Sequence, residues 1–133
     1  MPQKQDMNTT QDTTQDTPTL KLYTLRRDDL PPLRFRGEVI DESDTFDPVG
    51  SSTRWVEVTV YRTQGGRYIL RIRHRTQWQG ESDTLRAWSL SRPYDIRDYL
   101  REDLGHIPDD VSRMLSRLEE LPEFKGIWIE EVE

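Results

Sequence analysis

The sequence predicts an α+β fold, in which an antiparallel sheet of about four to five strands carries two C-terminal helices on one face and ends in a short final strand. Apolar and polar residues alternate strictly through residues 55–61 and 67–78, which is typical of half-buried strands. Residues 111–118 instead place apolar side chains at i, i+3, i+4 and i+7, the spacing of one helix face. Strands followed by helices favour a sheet covered on one side.

The chain begins with a segment that has no capacity to pack. Residues 1–18 contain the repeat TTQDTTQDT, and we expect them to form a disordered low-complexity tail. Residues 19–133 then form a single domain, as the length of 133 residues favours. Because 32% of the residues in the whole chain are hydrophobic and 33% are charged, we expect a small core beneath a very polar surface.

Two strands are predicted ahead of the centre of the chain. Residues 20–25 form a short strand, followed by a polar turn and a stop at Pro31-Pro32, because proline cannot donate to a strand ladder. The alternation in LRFRGEVID, residues 33–41, predicts a half-buried second strand. Residues 42–53, ESDTFDPVGSST, have the composition of a loop.

The next two strands form a hairpin whose register can be tested from the sequence. A two-residue turn would set the valine face of one strand against the arginine face of the other. A three-residue loop, Gln64-Gly65-Gly66, pairs Thr63 with Arg67 and makes both faces consistent, with glycine where the loop needs a positive φ. The predicted cross-strand pairs are Val60–Leu70, Val58–Ile72, Val56–His74, Glu57–Arg73, Thr59–Arg71 and Trp55–Arg75.

A further strand and the first helix follow the hairpin. Residues 84–91, TLRAWSLS, have strand composition, and Pro93 breaks that pattern. Asp95 is a candidate N-cap for a helix over residues 96–104, which Gly105 ends.

The second helix begins at Pro108 and closes before Pro122. Its apolar stripe lies within residues 111–118, with Ile107 as a hydrophobic staple. The segment GIWIEEVE, residues 126–133, predicts the final strand.

The net charge of −6 conceals a separation of charge along the chain. Residues 1–59 carry 7 Lys+Arg against 11 Asp+Glu, residues 60–92 carry 7 against 2, and residues 93–133 carry 5 against 12. Such separation either guides charged partners or lets two parts of one domain attract each other.

The positive charge is concentrated in the stretch RYILRIRHRTQW, residues 67–78. Its arginines alternate because the opposite side of the strand faces the core. Basic and aromatic side chains on an open sheet suit phosphate contacts and base stacking, and they also suit the centre of a protein interface. The candidate binding residues on this face are Arg67, Arg71, Arg73, Arg75, Trp55 and Tyr61.

A purely structural interpretation of the same face is also open. In it the face is solvated, Glu57 and Arg73 form a cross-strand pair, and Arg75 stacks on Trp55.

The signals for an enzyme are weak. The two histidines, His74 and His106, do not share a metal-ligand spacing, and the chain has no cysteine, so we predict no metal and no cofactor. Asp109, Glu123 and Lys125 match the PD…ExK pattern of metal-dependent nucleases. A helix separates them, however, whereas that chemistry requires acids that converge on one ion.

Targeting signals and membrane-spanning segments have characteristic features in a sequence. No signal peptide and no apolar run of membrane-spanning length is recognisable, and we expect a cytoplasmic protein without membrane contact.

Three motif-bearing stretches carry a resemblance: FRGEVIDES (35–43), RWVEVTVYRTQGGRY (54–68) and TQWQGESD (76–83). Together they resemble small uncharacterised bacterial proteins found among mobile-element and plasmid genes, which share the pattern FxGExI, RWxE, YxTxxGxY and TxWxGE. The resemblance covers about residues 33–84. It implies a compact prokaryotic accessory protein, and it assigns neither an activity nor any site residue.

These observations leave three functional hypotheses. The first is a non-enzymatic bacterial interaction module, such as a regulator, inhibitor or accessory subunit, that binds a protein partner or its own copy through the Arg/aromatic face. The second is a nucleic-acid-binding accessory protein that uses the same face, and its affinity would depend strongly on salt. The third, more remote, is the metal-dependent nuclease.

Overall fold

The computed structural model describes residues 20–47, 49–50, 53–130 and 132. These residues form a sheet whose antiparallel strands are neighbours in chain order, followed by two helices and a short 3-10 turn, which confirms the α+β class. The predicted tail, residues 1–18, lies outside the described residues. The elements are β1 (Lys21–Arg27), β2 (Leu30–Asp44), β3 (Arg54–Thr63), β4 (Tyr68–Thr76), β5 (Thr84–Leu90), α1 (Asp95–Leu104), α2 (Asp109–Leu118) and the 3-10 turn Pro122–Phe124.

The β3–β4 hairpin has the predicted register at every pair. The Thr63 N–H donates to the Arg67 carbonyl at 2.8 Å, and Gly66 takes a φ of 87°. The three-residue loop is therefore confirmed, since it is the loop that lets both faces of the hairpin match.

The sheet is strongly curled, so that its two outer strands meet at one end. At the β1–β2 turn, the Asp28 N–H donates to the Leu85 carbonyl at 2.9 Å, and the Leu85 N–H donates to Asp28 Oδ2 at 3.0 Å. Arg27 adds a bond from Nη1 to the Ala87 carbonyl at 3.3 Å. The curl gives the sheet a concave face and a convex face.

The convex face packs against the helices and forms the larger core. Val58, Leu70 and Ile72 are fully buried there against α1, α2 and Phe124. The predicted apolar stripe of α2 is buried, as expected from its spacing. A smaller core lies inside the curl, and its members are Leu25, Tyr61, Ile69 and Ala87, with Tyr23, Leu33 and Phe35 packed around them.

The start of α1 differs from the prediction by one residue. The N-cap is Tyr94, and Asp95 lies inside the first turn, where its carboxylate accepts from Arg92 at 2.8 Å and 3.2 Å. An acidic residue there still interacts favourably with the helix dipole. Gly105 ends the helix as predicted, with a φ of 74° and its N–H donating to the Arg101 carbonyl.

The second strand is longer than predicted, because Pro31-Pro32 lies inside β2 and does not precede it. Both prolines are at the start of the strand, beside the edge strand β1, where a missing N–H is tolerated. Arg27 Nε donates to the Pro31 carbonyl at 2.9 Å, which ties this end of β2 to β1.

The predicted final strand over residues 126–133 is wrong for the described part of that segment. Gly126 takes a φ of 75°, and local turn bonds join Ile127 to Phe124 and Ile129 to Gly126. Trp128 packs against Phe124 with ring centroids 6.0 Å apart and donates to the Tyr94 carbonyl at 3.0 Å. The segment closes the helix layer and does not extend the sheet.

Within the described part of the chain, neither helix is long and apolar enough to cross a membrane.

Candidate interaction surface

All six sequence-predicted binding residues belong to the concave side of the sheet or to its ends. Alternation along β3 and β4 places them opposite the side that carries Val58 and Ile72. The curl then divides this side into an apolar half at the β3–β4 hairpin loop and a charged half at the other end.

Tyr61 belongs to the apolar half and is only 3% exposed. Its ring contacts those of Tyr23 and Phe35 at centroid distances of 4.9 Å and 5.1 Å. Burial raises the pKa of the Tyr61 phenol, and the positive charge of Arg71 partly offsets that rise. The ring is therefore part of the smaller core and is not available for stacking in this conformation.

Arg73 and Arg75 share two carboxylates, which neutralise most of the charge in this half. Arg75 lies 3.0 Å from Glu57 Oε2 and 2.9 Å from Asp83 Oδ2. Arg73 lies 3.3 Å from Asp83 and 4.0 Å from Glu57. This network includes the expected Glu57–Arg73 cross-strand pair, although the shorter contact of Glu57 is with Arg75.

Arg71 has a different environment from its two neighbours in the row. Like them it is half-buried, and it lies opposite Thr59. Its side chain lines a cavity of about 320 Å³ together with Glu42 and Asp44 from β2. No carboxylate of the described residues forms an ion pair with it. The positive charge of Arg71 is therefore less neutralised than that of its neighbours, although Glu42, Asp44 and Glu57 also line the cavity and disfavour an acidic group there.

Arg67 lies at the hairpin end and is exposed. Its Nε donates to the Ser89 hydroxyl at 2.9 Å, which attaches it to β5 and separates it from the other arginines. The four arginines therefore do not act as one continuous basic row.

Trp55 lies at the opposite end of the concave face. Its half-buried ring has the Arg75 guanidinium above it at 5.3 Å, as predicted, and the Phe46 ring against its edge at 4.8 Å. Trp55, Phe46 and Gln77 line an open cavity of about 280 Å³. Phe46 is 41% exposed, so this aromatic cluster is accessible from solvent.

Trp78 adds a second exposed tryptophan at the same end of the sheet. Its ring is 52% exposed and carries the Arg54 guanidinium at 5.7 Å. Trp78 Nε1 donates to the Thr53 hydroxyl at 3.0 Å, and Arg54 also pairs with Glu81. Both tryptophans are thus held in fixed positions beside an arginine.

The motif of metal-dependent nucleases is not assembled into a metal site in the described residues. Glu123 accepts from Arg62 Nε at 2.6 Å and from the Tyr68 hydroxyl at 3.2 Å, so its carboxylate is engaged in a structural network. Among the residues that can be described, no group of three or more His, Cys, Asp or Glu could hold a metal ion.

Sequence reasoning missed three contributors to this surface. Asp83 lies outside the predicted strands, and Phe46 and Asp44 lie in the predicted loop over residues 42–53. Alternation cannot place such residues, because it predicts faces only within strands. An excess of arginine over acid in residues 60–92 was the one available signal that carboxylates from elsewhere would be drawn to the row.

Comparisons with protein-family models, with curated proteins and with solved structures found no significant match to this chain.

Proposed function

We propose that the protein is a non-enzymatic interaction module, acting as a regulator, inhibitor or accessory subunit, and that it binds a protein partner through the Trp55 end of the concave face. One observation carries the proposal: the Trp55 ring has the Arg75 guanidinium over it at 5.3 Å and the Phe46 ring 4.8 Å away, beside an open cavity. Tryptophan and arginine, held in place within a packed patch, are the residues in which interface binding energy concentrates.

The charges around Trp55 favour a protein over a nucleic acid. Arg73 and Arg75 already have Glu57 and Asp83 as partners, so a phosphate would have to displace carboxylates. A patch of both signs instead complements a partner surface of both signs. Nucleic-acid binding through this face remains the alternative, with Arg71 as its principal contact.

The test compares two variants that each remove an aromatic ring beneath an arginine. Immobilised wild type, Trp55→Ala and Tyr94→Ala are incubated with lysate of the source organism, with and without nuclease. Tyr94 is the matched control, because it is 47% exposed and has Arg92 over its ring at 5.8 Å, but it lies at the start of α1. We expect a nuclease-resistant protein partner, whose affinity falls about thirtyfold for Trp55→Ala and is unchanged for Tyr94→Ala.

Two results would contradict the proposal. Capture of nucleic acid that disappears on nuclease treatment would favour the alternative, and equal capture by wild type and Trp55→Ala would remove the Trp55 end as the binding surface. The mass of the purified protein in solution, measured by light scattering for wild type and Trp55→Ala, shows whether the partner is a second copy of the chain.

A further inference from the structure

The convex side of the β1–β2 pair has a second concentration of positive charge, away from the arginines of β4. Three arginines on this side are exposed: Arg26 on β1, and Arg34 and Arg36 on β2. Thr24 lies opposite Arg34, and Leu22 lies opposite Arg36. We call these five residues the β1–β2 outer face.

The position of this face follows from the packing on its other side. Tyr23, Leu25 and Phe35 alternate with the outer residues and point into the smaller core, so the arginines point away from it. The helix layer does not reach them. It meets β2 further along, where Arg117 donates to Asp41 at 3.0 Å and 3.2 Å.

The arginines of this face lack the partners that most other arginines have. Among the residues that the structure describes, Arg34 Nε donates only to the Thr24 hydroxyl, at 3.2 Å. The next acid along β2, Glu38, is engaged with Arg62 at 3.2 Å. No ion pair to Arg26, Arg34 or Arg36 exists within the described ranges, whereas eight other arginines there have one: Arg54, Arg62, Arg73, Arg75, Arg86, Arg92, Arg113 and Arg117.

This contrast is informative because carboxylates outnumber basic groups in the chain, 25 to 19. Of the other arginines in the described residues, eight are neutralised by this excess of acid. On the β1–β2 outer face, Leu22 is 56% exposed and lies opposite Arg36, on the same side of the strand pair as Arg26 and Arg34. A surface that combines unpaired positive charge with an accessible apolar side chain suits an acidic protein segment with an apolar residue.

We propose that the β1–β2 outer face binds an extended acidic segment of a partner protein. Arg34 and Arg36 are two residues apart on one strand, about 7 Å, which is also the repeat of alternate side chains in an extended peptide. Carboxylates at alternate positions of that peptide therefore meet successive guanidiniums. Nucleic acid fits less well, because the face has no aromatic side chain for stacking and the whole chain carries a net charge of −6.

This surface is separate from the Trp55 end, so the two proposals can fail independently. The probe is a fluorescent peptide in which glutamate occupies alternate positions, with one of these positions changed to leucine so that it can meet Leu22, and its binding to the full chain is followed by anisotropy at low salt. Arg26→Gln, Arg34→Gln and Arg36→Gln are each expected to weaken binding roughly two- to fivefold, and the triple variant to abolish it. Binding is expected to fall as salt is added.

The control is a triple variant with the same change in net charge at exposed basic residues elsewhere: Arg101→Gln, Arg113→Gln and Lys125→Gln. Thermal unfolding confirms that all variants are folded. The proposal is supported if only the first triple variant loses the peptide and the same peptide with glutamine in place of glutamate does not bind. It is overturned if both triple variants lose binding equally, if the peptide does not bind at millimolar concentration, or if a thymidine oligonucleotide binds this face and the peptide does not.

Discussion

Arginines that are equivalent by their positions in the sequence have different charge partners in the structure. Arg71, Arg73 and Arg75 are equivalent by alternation, yet two of them share Glu57 and Asp83 and the third has no ion pair among the described residues. The positive excess of residues 60–92 is therefore largely compensated in space by acids from outside that range, such as Glu57, Asp103 and Glu123. Charge counted along a chain predicts a surface field only after such pairing is known.

The carboxylate of Glu123 gives a stability prediction that depends on pH. Burial alone opposes its ionisation, but its own backbone N–H together with Arg62 and Tyr68 stabilise the charged form and lower the pKa of Glu123 below the ordinary 4.5. A carboxyl group whose pKa is lowered in the folded state stabilises the fold at pH values above its ordinary pKa. This contribution is lost as the pH falls through the lower, folded-state pKa. We expect Glu123→Gln to reduce the free energy of unfolding by about 1 kcal/mol at neutral pH.

Urea unfolding across pH checks this expectation. The difference between wild type and Glu123→Gln should be constant at neutral pH and should shrink as pH falls below 4.5. Glu120→Gln, an exposed neighbour, is the control and should have little effect at any pH. A difference that stays the same in acid would mean that the Glu123 charge is not responsible.

At the level of elements, β2 and β3 approach each other closely at Gly37. This glycine is buried opposite Thr63, and a Cβ added to it would lie 2.4 Å from the Arg62 carbonyl oxygen and 3.0 Å from Thr63 Cα. Backbone atoms cannot move aside as a flexible side chain can, so the two strands must separate. We expect Gly37→Ala to lower the free energy of unfolding by about 2 kcal/mol, measured by chemical denaturation.

Gly65→Ala is the matched control for this substitution. A Cβ at Gly65 would meet only Thr63 Oγ1, at 4.0 Å, and the change should be neutral within about 0.5 kcal/mol. Equal effects of the two substitutions would show that loss of glycine flexibility, and not the close approach of β2 and β3, determines the result.

The elements that the sequence predicted well are those set by local rules. The β3–β4 register followed from the loop and from two consistent faces, and the α2 stripe followed from its spacing. The final strand failed because residues 126–130 have strand composition, but Trp128 is held by Phe124 and Tyr94. Those contacts, like the Asp28–Leu85 bonds that close the curl, join distant parts of the chain and leave no local pattern.

At the scale of the whole molecule, the sheet and the helix layer are joined by polar contacts as well as by the core. Arg117 attaches α2 to β2, and Asp103 attaches α1 to β4 and β5. The Asp103 side chain is 3% exposed and accepts from His74 Nε2 at 2.8 Å and from Arg86 Nη1 at 3.0 Å. One buried carboxylate thus connects α1 with β4 and β5.

Removal of this carboxylate should loosen the attachment of α1 to the sheet. Asp103→Ala eliminates two hydrogen bonds to a charged acceptor, and we expect the free energy of unfolding to fall by about 2 kcal/mol. Amide hydrogen exchange should become faster in α1 and remain slow at Val58 and Ile72, which are fully buried in the sheet. Asp98→Ala, an exposed aspartate on the same helix, controls for the loss of a charge and should change neither quantity. Uniformly faster exchange throughout the sheet and both helices would contradict this prediction. It would mean that α1 does not open separately and that Asp103 stabilises the whole molecule as one unit.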